Sequence, residues 1–176
     1  MKIKILIEAS LIIIIALTGC RDILFGDKFR TEEEIISIFK DNKDVFVDIV
    51  NDLSEFKFHW SIDTDSSDRS ARPDWKYADL NNGIQLVVLE KENFDELPSI
   101  YIKAKKNRSI NSVIIEHKFK IITSDHYMDT DCIYFVKQTS IGYDAGIMYC
   151  PGGITEDPYI TKMVPIEDSW YYYEAK

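Results

Sequence analysis

Past Leu53 the spacing of apolar residues changes from a period of about 3.6 residues to one of about two, and that change dictates a helix followed by a strand. Ile35, Phe39, Phe46, Ile49, Val50 and Leu53 recur at helical spacing across Thr31 to Leu53, with a polar interruption at Asp41, Asn42 and Lys43. Thr31 followed by Glu32, Glu33 and Glu34 is a capping-box start: the threonine side chain can bond the third amide while Glu34 reaches back, and the acids suit the helix dipole. Past Leu53 the pattern alternates. Phe56, Phe58, Trp60 and Ile62 are interleaved with Glu55, Lys57, His59 and Ser61, the repeat of a half-buried strand.

Further elements follow the same logic. The acidic stretch Asp63 to Asp74 lacks apolar content and reads as an exposed loop, and Gly83 to Glu90 as a second strand. Phe94 to Ala104 is ambiguous because Pro98 interrupts it, and Ser109 to Phe119 reads as a second, shorter helix. Strands are expected at Lys120 to Thr123, on either side of a turn at Thr139 to Asp144, and around Ser169 to Tyr173. Together these give an α+β domain over residues 31–176, with an amino-terminal helix packed on a mostly antiparallel sheet of five to seven strands.

Cys132 opens one of the two runs flanking that turn and Cys150 closes the other. A hairpin centred near Ile141 sets Ile133 opposite Tyr149, Phe135 opposite Ile147 and Cys132 opposite Cys150, which permits a disulfide. A slip of one residue would separate the sulfurs, and the alternative is two buried free thiols.

The amino terminus has its own signal. Lys2 and Lys4 precede a run from Ala9 to Leu17 that is apolar except for Ser10, confined by Glu8 and Arg21. That run is too short to cross a bilayer, for which roughly 20 apolar residues are needed, and has the layout of a secretory signal. Leu17-Thr18-Gly19-Cys20 resembles the lipobox of bacterial lipoproteins, in which a small residue precedes a cysteine that receives a diacylglyceryl group. The resemblance implies a signal peptide over residues 1–19, cleavage after Gly19, lipidation of Cys20, and a tether over residues 20–30. Two or more acyl chains hold a protein on its membrane where a single chain does not. Arg21 stands where an aspartate would resemble the inner-membrane retention signal of Gram-negative lipoproteins, so in such a cell sorting to the outer membrane is implied. The strand Gly146-Ile147-Met148-Tyr149 and the aromatic ending are similar to those of small uncharacterised bacterial lipoproteins, a likeness that carries no activity.

Charge narrows the partners. The formal net charge is −9, and loss of Lys2, Lys4 and Glu8 with the signal makes it −10. Such a domain is repelled by nucleic acid, which is not an expected partner. The basic run Lys103, Lys105, Lys106 and Arg108, like Lys118 and Lys120, reads as a solvated face.

No catalytic signature stands out. His59, His117 and His126 are not in zinc-helix spacing. Asp125, Asp129 and Asp131 around His126 read as a solvated turn. Asp63, Asp65 and Asp68 resemble the start of a calcium loop, but Asp68 replaces the turn glycine and Asp74 the closing glutamate. Ser54 and Lys57 have the spacing of penicillin-recognising enzymes without the companion motifs. No metal, cofactor or catalytic residue is therefore assigned. Trp170, Tyr171, Tyr172 and Tyr173 in succession are expected on one strand, with Trp170 and Tyr172 on one side and Tyr171 and Tyr173 on the other; the strand either packs into the sheet, the favoured reading, or offers one face as an aromatic binding surface for an envelope protein or polymer. The expected function is a non-catalytic, membrane-anchored extracytoplasmic binding module, an immunity protein against a basic toxin being one form. The alternative is a small envelope hydrolase using a carboxylate pair near Asp65 or Asp129.

Overall fold

Thr31 begins the described structure as the sequence expects. The computed structural model describes residues 30–64, 75–125, 131–140, 142–153 and 158–176. The Thr31 side chain accepts from the Glu34 amide at 3.3 Å and Glu34 accepts from the Thr31 amide at 3.1 Å, a complete capping box. The helix it opens does not run through to Leu53. It is two helices, α1 (Glu32–Asp41) and α2 (Lys43–Leu53), because Asn42 leaves helical geometry at φ −131° and ψ 25°. Its Nδ2 donates to the Ile38 carbonyl at 2.9 Å, so the same asparagine closes α1 and starts α2.

The remaining elements are β1 (Trp60–Asp63), β2 (Lys76–Asp79), β3 (Gln85–Val88), a 3-10 turn (Lys91–Glu96), α3 (Leu97–Lys106) and α4 (Arg108–Asn111), which widens into a π turn at Ser112–Glu116. Then come β4 (Ile121–Asp125), β5 (Cys132–Ser140), β6 (Tyr143–Tyr149), β7 (Ile160–Glu167) and β8 (Trp170–Ala175). The strands form one antiparallel sheet in the order β2-β3-β1-β4-β5-β6-β8-β7. The α+β class stands, with three corrections: the sheet has eight strands among the described residues rather than five to seven, the leading helix is two helices, and it starts at Glu32, well inside the chain rather than at its amino terminus. The two extra strands, β2 and β7, are the sheet's edges, where a strand needs no apolar alternation and can carry a proline such as Pro165.

Thr31–Lys176 forms one compact unit. Its core lies between the helices and one sheet face: Ile35, Phe39, Phe46, Ile49 and Leu53 meet Trp60, Ile62, Leu86, Ile122, Phe135, Ile147, Trp170 and Tyr172 in a single buried cluster. Phe46 is its hub, with ring centroids 5.3 Å from Phe39, 5.3 Å from Phe119, 5.0 Å from Phe135 and 6.4 Å from Trp170. Ser124, buried in β4, donates to the Phe58 carbonyl at 2.7 Å and accepts from the Trp60 amide at 3.0 Å, which fixes where β1 begins.

The hairpin register is the expected one at its base, with Ile133 opposite Tyr149 and Phe135 opposite Ile147, and shifts by one residue between Val136 and Gln138. The extra residue of that bulge is Lys137, which is buried. Its ammonium donates to the carbonyls of His117 and, at 2.9 Å, Lys118, and sits 5.1 Å from the Phe119 ring centre. A buried lysine needs such partners, and here they are the carbonyls of the two residues that follow the π turn.

Candidate functional site

The sites singled out in the sequence separate into those the fold brings together and those it disperses. Cys132 and Cys150 are bonded, with Cα atoms 4.4 Å apart, on the sheet face away from the helices. Ile133 and Phe135 point into the main core while Cys132, Met148, Cys150 and Tyr173 form a second cluster. The aromatic ending is packed into the sheet, the favoured of its two readings. Trp170 and Tyr172 enter the main core as expected, but Tyr173 is only 2% exposed and Tyr171 is half-buried, so the other face is no open aromatic surface. The reason is position: β8 lies inside the sheet between β6 and β7, and Tyr173 stands opposite Gly146 with its ring 5.2 Å from Tyr134. Burial and a bond to Glu174 at 2.9 Å push the Tyr172 hydroxyl far above the ordinary phenol range, and burial does the same to Tyr173.

His59 and His117 are half-buried backbone partners in the fold: the His59 carbonyl accepts from Leu89 at 3.1 Å and the His117 carbonyl from Lys137. Ser54 caps α2 through its amide, and Lys57 pairs with Asp131 at 2.8 Å. Among the described residues no three His, Cys, Asp or Glu side chains are placed to hold a metal ion. Cys20, the lipobox, Asp65, Asp68, Asp74, His126 and Asp129 lie outside the described residues.

One cleft has the attributes of a ligand site. It lies between the β2–β3 turn and the corner joining α3 to α4, with a volume of about 480 Å³, inside the range of small-molecule pockets. Leu80, Ile84, Ala104 and Ile110 give it an apolar floor, and Asn81, Asn82, Asn111, Lys105, Arg108 and Glu116 a polar rim.

Both walls are fixed by local chemistry. In the turn, Asn82 and Gly83 have φ of 55° and 75°, the pair of left-handed residues that a two-residue hairpin turn demands, and the Ile84 amide closes it on the Asn81 carbonyl at 2.9 Å. Asn82 then donates to Asn111 Oδ1 at 2.6 Å, tying the turn to α4. At the corner, Asn107 donates to Asp52 Oδ2 at 2.8 Å and to the Asp48 carbonyl at 3.1 Å while accepting from the Ser109 amide at 2.9 Å. Ser109 donates to Asp48 Oδ2 at 3.2 Å. Arg108 is thus held between two residues anchored to α2, and its exposed guanidinium has no ion-pair or hydrogen-bond partner among the described residues. Lys103, one and a half turns earlier, is by contrast paired with Glu55 at 2.6 Å.

The rim offers amides, the Arg108 guanidinium, the Lys105 ammonium and the Glu116 carboxylate. Lys105, Lys106 and Arg108 are exposed, as the solvated-face reading of this basic run expects, and the cleft beside them is not legible in the sequence because its two walls lie some distance apart in the chain. The available signal was the Asn82-Gly83 pair, which marks a tight hairpin turn. No family model matches the chain, and no curated protein or solved structure matches it either. No helix among the described residues is long and apolar enough to cross a membrane.

Proposed function

We propose that the chain is a lipid-anchored extracytoplasmic protein, exported by residues 1–19, held at its membrane through Cys20, and carrying in residues 31–176 a non-catalytic module that binds an envelope protein or polymer. The observation that carries this reading is the Cys132–Cys150 bond, since such bonds persist in oxidising compartments and are rare in the cytosol. The bond and the Leu17-Thr18-Gly19-Cys20 sequence are independent features that support the same compartment. The asparagine- and arginine-rimmed cleft replaces the aromatic ending as the binding site we assign. Anchoring raises the module's effective concentration beside its membrane neighbours.

Trapping thiols in living cells tests the reading. The full chain should sediment with membranes with Cys132 and Cys150 protected from alkylation, and a chain lacking residues 2–19 should be recovered in the cytosol with both thiols alkylated. Identical fractionation and thiol states for the two chains would sink it.

A further inference from the structure

We propose that the cleft is a site for a small amphipathic oxyanion, a carboxylate or phosphate attached to an apolar group, with Arg108 as its anion anchor; the idea rests on the binding-module reading and supplies its ligand class. Three observations carry it together. The first is the guanidinium, without a partner among the described residues, on a backbone clamped on both sides through Asn107 and Ser109. A guanidinium matches the two oxygens of a carboxylate or phosphate in a planar fork, and pre-organisation lowers the entropic cost of that pair.

The second is the arrangement of neutral donors. Asn82 and Asn111 bond to one another through one amide hydrogen and one carbonyl, which leaves the Asn111 NH2 group and the whole Asn81 amide without a partner among the described residues. Amides alone would suit many polar ligands; beside an unpaired guanidinium they add donors for oxygens that the arginine fork does not reach. The third is the apolar floor. Leu80, Ile84, Ala104 and Ile110 are each almost wholly buried yet line the cleft, so what little they show faces into it. A bare inorganic anion leaves that floor wet, whereas an alkyl group attached to the anion covers it. Lys105, its ammonium near the Tyr101 ring rather than on a carboxylate, offsets the one carboxylate of the rim, Glu116, whose Oε2 accepts from Ser112 Oγ at 2.6 Å, so Arg108 leaves the cleft net positive.

The test uses the full protein extracted from membranes in a zwitterionic detergent, titrated at constant ionic strength with three probes: acetate, hexanoate and inorganic phosphate. Amide chemical shifts of Asn81, Asn82, Gly83, Asn107 and Asn111 are followed. Hexanoate should give saturable shifts confined to these residues and bind about tenfold or more tightly than acetate, since four further methylenes reach the floor. Phosphate should compete with hexanoate for the same residues. Arg108→Gln should weaken hexanoate at least about tenfold, with Arg108→Lys between it and the native protein, because lysine keeps the charge and loses the fork.

Absence of saturable shifts with every probe, or equal hexanoate affinity in the Arg108→Gln protein, overturns the proposal. Equal affinity for acetate and hexanoate overturns the part that assigns an apolar group. An unchanged far-ultraviolet circular dichroism spectrum in each variant excludes unfolding as the cause. Membrane fractionation of the same samples reads the anchoring separately, so loss of ligand binding with anchoring intact refutes this inference alone.

Discussion

Phe46→Ala is the perturbation that bears most on how the helices are held to the sheet. Phe46 is fully buried on α2 and meets rings from α1, β5, β8 and the segment before β4. Truncation removes a transfer contribution of about 2 kcal/mol for a fully buried phenylalanine. It also leaves a void of roughly 80–100 Å³, which at about 24 cal/mol per Å³ adds about 2 kcal/mol if the surrounding rings do not collapse. The expected loss is therefore about 4 kcal/mol, a large part of the 5–15 kcal/mol typical of a domain. For a chain of this size that lowers Tm by roughly 8–16 °C. Phe56 is the internal control: it is half-buried, and its ring contacts are Phe58 at 5.9 Å and the Lys103 ammonium at 5.9 Å, so Phe56→Ala should cost under about 1.5 kcal/mol. Urea unfolding of the Cys20→Ser chain, followed by tryptophan fluorescence, measures both. A Phe46→Ala loss below that of Phe56→Ala would refute the packing described.

Other perturbations follow from single positions. Gly146→Ala should cost several kcal/mol or abolish soluble expression, because a Cβ there strikes the Phe135 carbonyl oxygen and lies 3.1 Å from the Lys137 amide nitrogen; thermal unfolding of any protein recovered measures it. Replacing Cys132 and Cys150 together by serine should lower stability by about 3 kcal/mol, the value for a closed loop of this order, and a reductant should give the same loss in the native chain but none in the variant. Tyr172 and Tyr173 are neutral when protonated and hold their protons more tightly folded than unfolded, so their contribution is complete below the unfolded tyrosine value of about 10 and is lost as pH rises above it. Tyrosinate absorbance should then show these two groups titrating only with unfolding, and Tyr173→Phe should flatten the alkaline loss of stability. Thr31→Ala should cost about 1 kcal/mol by removing the α1 cap, read from the urea midpoint at unchanged slope.

The parts of this fold that were legible in the sequence are those where local chemistry and burial agree. The capping box at Thr31, the apolar stripe from Ile35 to Leu53 and the Ile133–Tyr149 register each follow from spacing alone, because each lies against one core face. The helix break at Asn42 was visible only as a polar interruption; an asparagine side chain that bonds back to a carbonyl four residues earlier is a tertiary choice as well as a local one. The edges β2 and β7 lacked a pattern because only one of their sides is paired. Nothing in the sequence marks Lys137 as buried; the bulge turns it inward onto the His117 and Lys118 carbonyls. The aromatic ending left two readings open for a related reason: four consecutive rings suit either a packed strand or an exposed face, and whether a strand is an edge or an interior one is set by its neighbours. The cleft was hidden because Asn81, Asn82, Arg108 and Asn111 become neighbours only when the β2–β3 turn meets α4.

The proposed lipid anchor on Cys20 is tested most directly by the intact mass of the native protein taken from the membrane fraction. The account predicts the mass of residues 20–176 plus acyl chains, with the lipid increment and the membrane association both lost in Cys20→Ser and no alkylatable thiol at Cys132 or Cys150. The unmodified mass of a soluble chain with a free thiol at Cys20 would contradict it.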